Sequence, residues 1–359
     1  MTSDLPDLLA RCAELVDIPS VSLDEGAIVD HLEARLRRLA HLEVERVGLN
    51  LVARTSLGRP TRVVLAGHTD TVPPNGNERA RIEGDVLWGL GASDMKGGLA
   101  VMLALAETVP EPAVDVTWVF YAGEEVAAVH NGLAHLAADR PELLAGDIAI
   151  LGEPTDGEIE AGCQGTMRLE VTLRGARAHS ARPWMGRNAI HRLGPLLQDL
   201  ATVETRRPVV DGCEYREALQ AVGVTGGVAG NVVPDAVTLT INHRFAPDRT
   251  PAEAEAWVRS VLAPHLEDGD AVEVVDLAPA ARPGLSHPVL RALVEQHGLP
   301  VRAKLGWTDV ARFSALGVPA VNLGPGDATL AHAADERVSR DSLERTYRVL
   351  RAVLTAPVG

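Results

Sequence analysis

The chain has 359 residues, 46% of them hydrophobic, and a formal net charge of −15. That length exceeds one typical domain and points to two, with apolar content ample for buried cores. The acidic balance excludes a nucleic-acid-binding surface, which needs clustered Lys and Arg, and no apolar run approaches the ~20 residues of a membrane span.

The opening MTSDLPDLLARC lacks a basic stretch followed by an apolar core, so no signal peptide is expected and the cytoplasm is the default location. Ser3 or Asp4 can cap a first helix, with Pro6 near its start and Leu8, Leu9, Cys12, Leu15 and Val16 along one face. A second helical pattern, Ile28, Leu32, Leu36 and Leu39, precedes an expected strand at Asn50–Arg54. Apolar runs at 63–66, 116–121 and 148–151 read as buried strands, separated by helices at 95–108 and 126–138. Such alternation predicts an α/β sheet covered on both faces.

Between Thr166 and Arg282 the rhythm changes. Strands are expected at 167–173, 219–224, 237–245 and 272–276, with helices at 188–202 and 251–262. The order β-α-β-β-α-β predicts a ferredoxin-like α+β module at 166–282, inserted into a catalytic domain built from 1–165 and 283–359. After Pro283 the first rhythm returns, with a helix at 287–297, a strand at 319–323 and a last helix at 339–354.

The chemistry is concentrated at LAGHTD (65–70) and GASDMKGG (91–98). In extended backbone, residues two apart face the same way, so His68 and Asp70 can act as a metal ligand and its orienting carboxylate. Downstream stand Asp94, the Glu124–Glu125 pair in FYAGEE, Glu153 in LGEP and His332 in LAHAADE. Each sits at the end of an apolar run or in a glycine-flanked loop, where open α/β sheets bind ligands. A hydrolytic site with two divalent ions ~3.5–4 Å apart needs one carboxylate to bridge them. Asp94, short and in a glycine-rich turn, suits the bridge. Neighbouring side chains diverge, so one of Glu124 and Glu125 can bind metal while the other acts as general base. Any one of these motifs alone is an ordinary solvated turn. Their ordered conjunction is not.

Other features read as bland. The cysteines, Cys12, Cys163 and Cys213, form no CxxC pair, which argues against a disulfide framework or a thiolate zinc site. Cys163 reads as a packed small residue and His179 as a surface-loop histidine. GLGASD at 89–94 lacks the third glycine and the preceding strand of a dinucleotide loop, so a Rossmann reading is rejected.

In order, GHTDTVP, GASDMKGG, YAGEE, GEPT, AHSARPWMGRNAI, NVVPD and AHAADE resemble the M20 family of di-zinc amidohydrolases and peptidases across nearly the whole chain. The stretch GWTDVARFSALGVPAVNLGPGD with AHAADE resembles the members that act on N-acyl diamino acids. The resemblance implies a mixed-sheet α/β/α zinc-peptidase-like catalytic domain, and assigns the inserted module to dimerisation as a lid. It implies two Zn2+ per chain, with Co2+ able to substitute, and a homodimer formed through that module. Asp94 is implied to bridge the ions, with His68 and Glu153 on one and Glu125 and His332 on the other. Glu124 becomes the general base and Asp70 the residue that orients His68. His179 is implied to reach the partner's site and stabilise the developing oxyanion. Asn231, Arg244 and Thr308 match positions the family uses for substrate. Arg312, Arg182 and Arg187 are further candidates on charge alone. Two departures affect the pocket: Gly306-Trp307-Thr308-Asp309 replaces a Gly-Thr-Ser-Asp-Gly-Arg type loop, and Cys163-Gln164-Gly165 stands where proteobacterial members carry arginine. Alternative readings are another N-acyl amino acid hydrolase, a carboxypeptidase, or a silent relative. Glu124 together with all five ligand residues argues against the last.

Overall fold

The structure, a computed structural model, describes residues 5–356, so the expected caps Ser3 and Asp4 lie outside the described residues. The first helix, Leu8–Val16, is capped by Asp7, whose side chain accepts the Ala10 N–H at 3.2 Å. Its buried residues are Leu8, Leu9, Cys12, Leu15 and Val16, the face read from the sequence.

The chain divides into two compact units. The first comprises the stretch up to Gly162, Pro283–Arg302, and the chain from Asp309 onward; the second comprises Cys163–Arg282 and Ala303–Thr308. In the first, eight strands form a mixed sheet in the order Glu43–Val47, Asn50–Arg54, Asp115–Tyr121, Arg62–His68, Ile148–Leu151, Ala320–Asn322, Ile159–Ala161, Val301–Ala303. Asp115–Tyr121, Arg62–His68, Ile148–Leu151 and Ala320–Asn322 run parallel, and antiparallel neighbours flank them. Asp115–Tyr121 and Ile148–Leu151 are buried along their whole length, as continuous apolar strands between helical layers must be. Burying each such large side chain contributes roughly 1.5–3 kcal/mol. Because these strands are parallel, their carboxyl ends lie along one edge. His68 lies opposite Tyr121, and Ala66 opposite Leu151.

Helix Lys96–Thr108 packs close to that edge, and Gly98 permits it. A Cβ at Gly98 would lie 2.2 Å from the Gly152 carbonyl oxygen, so close approach outweighs the ~1 kcal/mol a helical glycine costs.

Two expectations need correction, and one small sheet went unread. Leu39 lies beyond the second helix, which ends at Leu36, and is only half-buried. The helix expected at 126–138 is a single turn, Ala128–His130, followed by Gly132–Asp139, because Asn131 caps the latter through the Ala134 N–H at 2.8 Å. Strands Arg81–Glu83 and Val86–Trp88, too short to show periodicity, form a three-stranded sheet with Arg337–Ser339.

In the second unit, strands Ala218–Gly226, Ala236–Phe245, Gly165–Arg174 and Ala271–Ala278 form an antiparallel sheet in that order. Val237, Leu239, Ile241 and Phe245 alternate onto one face, against Leu193, Leu196, Ala254 and Val258 of helices Ala189–Thr202 and Pro251–Leu262. A Thr250–Glu253 capping box starts the second helix. This is the strand and helix order expected of a ferredoxin-like module. No helix among the described residues is long and apolar enough to cross a membrane.

Candidate metal centre

One strand end and four loops deliver the candidate ligands to the carboxyl edge of the first unit's sheet. His68 is the last residue of its strand and is fully buried. Glu124 and Glu125 follow Asp115–Tyr121 after Gly123. The φ of Gly123 is 69°, and a Cβ there would lie 2.4 Å from the His130 carbonyl oxygen, so both conformation and space demand glycine. Glu153 follows Ile148–Leu151, and Asp94 lies just before helix Lys96–Thr108, with a cis peptide to Met95. His332 has a φ of 63°, an unusual conformation for a residue with a Cβ and one that recurs at functional sites.

The two oxygens of Asp94 face different histidines. Oδ1 lies 3.0 Å from His68 Nε2, and Oδ2 lies 3.8 Å from His332 Nε2. His332 Nε2 also lies 2.9 Å from Glu125 Oε1. Ligand atoms of His68, Asp94 and Glu153 lie within 4.8 Å of one another, as do those of Asp94, Glu125 and His332, and of His68, Glu124 and Glu125. Two sets of nitrogen and oxygen donors that share one carboxylate suit two adjacent divalent ions of the zinc type. The residues fit such ions.

The electrostatics are those of a cluster of acidic groups around two histidines. Burial pushes the Glu124 carboxyl well above the usual carboxylate range, and the charges of Glu153, Asp309 and Glu125 add to this against the opposing pull of His68. Burial also raises Glu125. Burial would lower His68, but Asp70 and Asp94 outweigh it and hold the imidazole well above its usual range; at His332 Glu125 and Asp94 outweigh burial and raise the imidazole.

Asp70 does more than the sequence indicated. His68 Nδ1 lies 3.1 Å from the main-chain oxygen of Asp70 and 3.5 Å from its carboxylate. The carboxylate instead accepts the N–H groups of Glu124 and Glu125, both at 3.0 Å, and the Ser22 hydroxyl at 2.8 Å. Burial opposes ionisation, yet the bonds from His68, the Glu125 N–H and Ser22 hold Asp70 below the usual range. Asp70 therefore anchors the Glu124–Glu125 loop as well as flanking His68.

Sequence reasoning overlooked two further groups. Glu336 is buried, and its carboxylate accepts the N–H groups of Gly91, Ser93 and Asp94, each at 2.9 Å. Burial raises it to about 7 against those three bonds. A glycine-rich turn leading into a helix cradles anions, and here the anion is a side chain of the same unit. That demand for an anion was the available signal. Strand Val86–Trp88 does precede the turn, contrary to the reading of 89–94, but the cradle is filled. Buried Asp309, the second group, accepts Asn131 Nδ2 at 3.0 Å and Arg312 Nε at 2.5 Å, so Arg312 is turned onto Asp309.

The remaining candidates, all in the second unit, are described within it. Strand Ala178–His179 pairs with Val232–Val233, placing His179 opposite Val232 and beside Asn231, whose main-chain oxygen accepts the Ser180 N–H at 2.9 Å. His179 Nδ1 accepts the Ala181 N–H at 3.0 Å, leaving Nε2 to carry the proton of a neutral ring. Arg182 is exposed. Arg244 is half-buried near Arg168, and burial lowers its pKa. Thr308 is buried, with its main-chain oxygen near Cys163 Sγ at 3.7 Å; Cys163 is itself fully buried. Arg187, named on charge alone, forms an exposed ion pair with Glu267.

Residues 64–356 match the family described as Peptidase family M20/M25/M40. The chain belongs to that family. As an M20 hydrolase it is 53% identical, over 97% of its own length and 98% of the other's, to a Mycobacterium tuberculosis (strain H37Rv) protein provisionally named succinyl-diaminopimelate desuccinylase DapE. It is 44% identical to the succinyl-diaminopimelate desuccinylase of Corynebacterium glutamicum, covering 98% of this chain and 97% of that one. Among solved structures, a tripeptidase from Staphylococcus aureus superposes with a TM-score of 0.78 at 23% identity, covering 97% of each chain, and supports the M20 fold.

Proposed function

We propose that the chain hydrolyses the amide bond of N-succinyl-L,L-2,6-diaminopimelate to succinate and L,L-diaminopimelate, a step in lysine and cell-wall precursor biosynthesis. The observation that carries this reading is the 44% identity, over nearly the full length of both chains, to a desuccinylase of that name. The division of Asp94's oxygens between His68 and His332 supports the catalytic part.

In this reading His68, Asp94 and Glu153 would hold one zinc ion, and Asp94, Glu125 and His332 would hold the other, with cobalt(II) able to substitute. When bound, the ions supply Lewis acidity toward the amide carbonyl and a water that ionises near neutral pH. Glu124, in its carboxylate form, would accept the proton of the attacking water and return it to the leaving nitrogen as the C–N bond breaks. One product leaves as a carboxylate and the other as an amine. Asp70 keeps Glu124 and Glu125 in place through their N–H groups.

The chain is further proposed to act as a homodimer through the Cys163–Arg282 unit, with His179 Nε2–H donating to the substrate oxygen in the partner's site. Asn231, Arg182, Arg244 and Thr308 are assigned to the substrate's carboxylates, with Arg312 contributing through Asp309. Its three cysteines are all buried, and the lack of a CxxC pair suits the reducing cytoplasm.

The test is a substrate panel with zinc-replete protein. Succinyl-diaminopimelate should exceed acetylornithine in kcat/KM, and chelation should abolish both until zinc is restored. A preference for acetylornithine would overturn the substrate, and full activity after chelation would overturn the metal reading.

A further inference from the structure

The carboxylate of Glu336 takes part in none of the steps above, yet it is among the most tightly bonded groups near the centre. It is 1% exposed and accepts three main-chain N–H groups at 2.9 Å, Gly91 on Oε2, and Ser93 and Asp94 on Oε1. Glu336 also lies four residues after His332. More bonds stitch the same two segments together: the Gly89 N–H to the Glu336 carbonyl at 3.1 Å and the Ser93 hydroxyl to the Arg337 carbonyl at 2.9 Å; Asn77, whose carbonyl accepts the Leu90 N–H at 2.7 Å, adds Nδ2 to the Ala333 carbonyl at 3.2 Å. One joined segment carries Asp94 and the other carries His332, the two residues that face each other across Oδ2 and Nε2.

Neither residue is held by regular structure. Asp94 lies in a turn, and His332 is half-exposed with a left-handed backbone. His68, by contrast, ends a buried strand. We propose that Glu336 is a positioning residue that sets the separation of Asp94 and His332, and so the affinity of the ion between Asp94, Glu125 and His332. The proposal rests on the two-ion reading above. Groups that orient metal ligands are typically worth 10–100-fold in metal affinity.

Glutamine at this position keeps the shape but turns one oxygen into a donor. Whichever oxygen is replaced, an N–H of Gly91, or those of Ser93 and Asp94, then faces another N–H. Aspartate keeps two acceptors on a shorter stem that cannot span both sides of the turn.

The experiment titrates metal-free, full-length protein with Zn2+ against a competing chelator, for wild type, Glu336→Gln, Glu336→Asp and His332→Ala. Two binding events are expected for wild type. Both Glu336 variants should weaken by about 10–100-fold the event that His332→Ala loses, and weaken the other, which shares Asp94 but not His332, by clearly less. Saturating Zn2+ should bring the kcat of Glu336→Gln back toward wild type, a rescue that damage to the fold would not allow. Hydrogen exchange of the 89–95 segment in metal-free wild type should show protection before any ion binds, a readout independent of how the variants fold.

Unprotected amides in that segment would overturn the proposal, as would variants whose two zinc affinities match wild type. Equal losses at both events would assign Glu336 to general stability instead. A wild-type protein that binds no divalent ion would overturn the two-ion reading itself, and this proposal with it.

Discussion

Replacing Asp70 with asparagine separates two roles that the sequence merges. The spacing HTD pairs Asp70 with His68, but the closer contact of His68 Nδ1 is to the main-chain oxygen at 3.1 Å, which asparagine retains. What asparagine removes is an acceptor. Oδ1 takes the Glu124 N–H and Oδ2 takes the Glu125 N–H, each at 3.0 Å. Either orientation of the amide sets its NH2 against one of them. A hydrogen bond to a charged group contributes roughly 1.5–3 kcal/mol. If the loop's placement is looser by that amount, kcat/KM should fall about 10–150-fold at 1.4 kcal/mol per decade. The assay is steady-state hydrolysis of succinyl-diaminopimelate by zinc-saturated protein, with zinc affinities measured alongside. The ion on the Glu125 side should weaken and the one on the His68 side should hold. Wild-type kcat/KM, or selective loss of the His68-side ion, would refute the reasoning.

Glu124→Gln should leave zinc content and fold intact while kcat falls by at least ~10²–10⁴; an unchanged kcat would place the base elsewhere. Co-expressing Glu124→Gln with His179→Ala chains should restore activity, since one site of a mixed dimer then holds both intact groups; verified mixed dimers that stay inactive would assign His179 to its own chain or to no catalytic role. His243, buried beside Trp257 and Phe245, is pushed down to about 4 by burial, with Arg249 adding and the Ala218 bond opposing. Its folded pKa is depressed, so the unfolded chain takes the proton first. The stability tied to its neutral form is whole above pH 6.5 and is lost as pH falls toward 4, by about 3 kcal/mol in all. Urea midpoints of wild type and His243→Phe across that window should converge as pH falls, and parallel curves would exclude the effect.

Much of this protein was legible one residue at a time. Apolar runs such as Ile148–Leu151 announce buried strands because a parallel sheet covered on both faces tolerates nothing else. Alternation along Ala236–Phe245 and the 3.6 period of Leu8–Val16 follow from the local geometry of strand and helix. The candidate ligands are legible too, because carboxylates and histidines at strand ends resist any explanation from packing. Short pieces such as Arg81–Glu83 escaped because three residues carry no period, and Val126 and Ala127 read as helical until Asn131 is seen to start the helix later. Only the tertiary structure decided where the backbone donors go. Asp70 reaches Glu124 and Glu125 from 54 and 55 residues away, and Glu336 reaches Asp94 from 242. No local pattern encodes such pairings, because they depend on which loops the parallel sheet and its helices bring to the same edge.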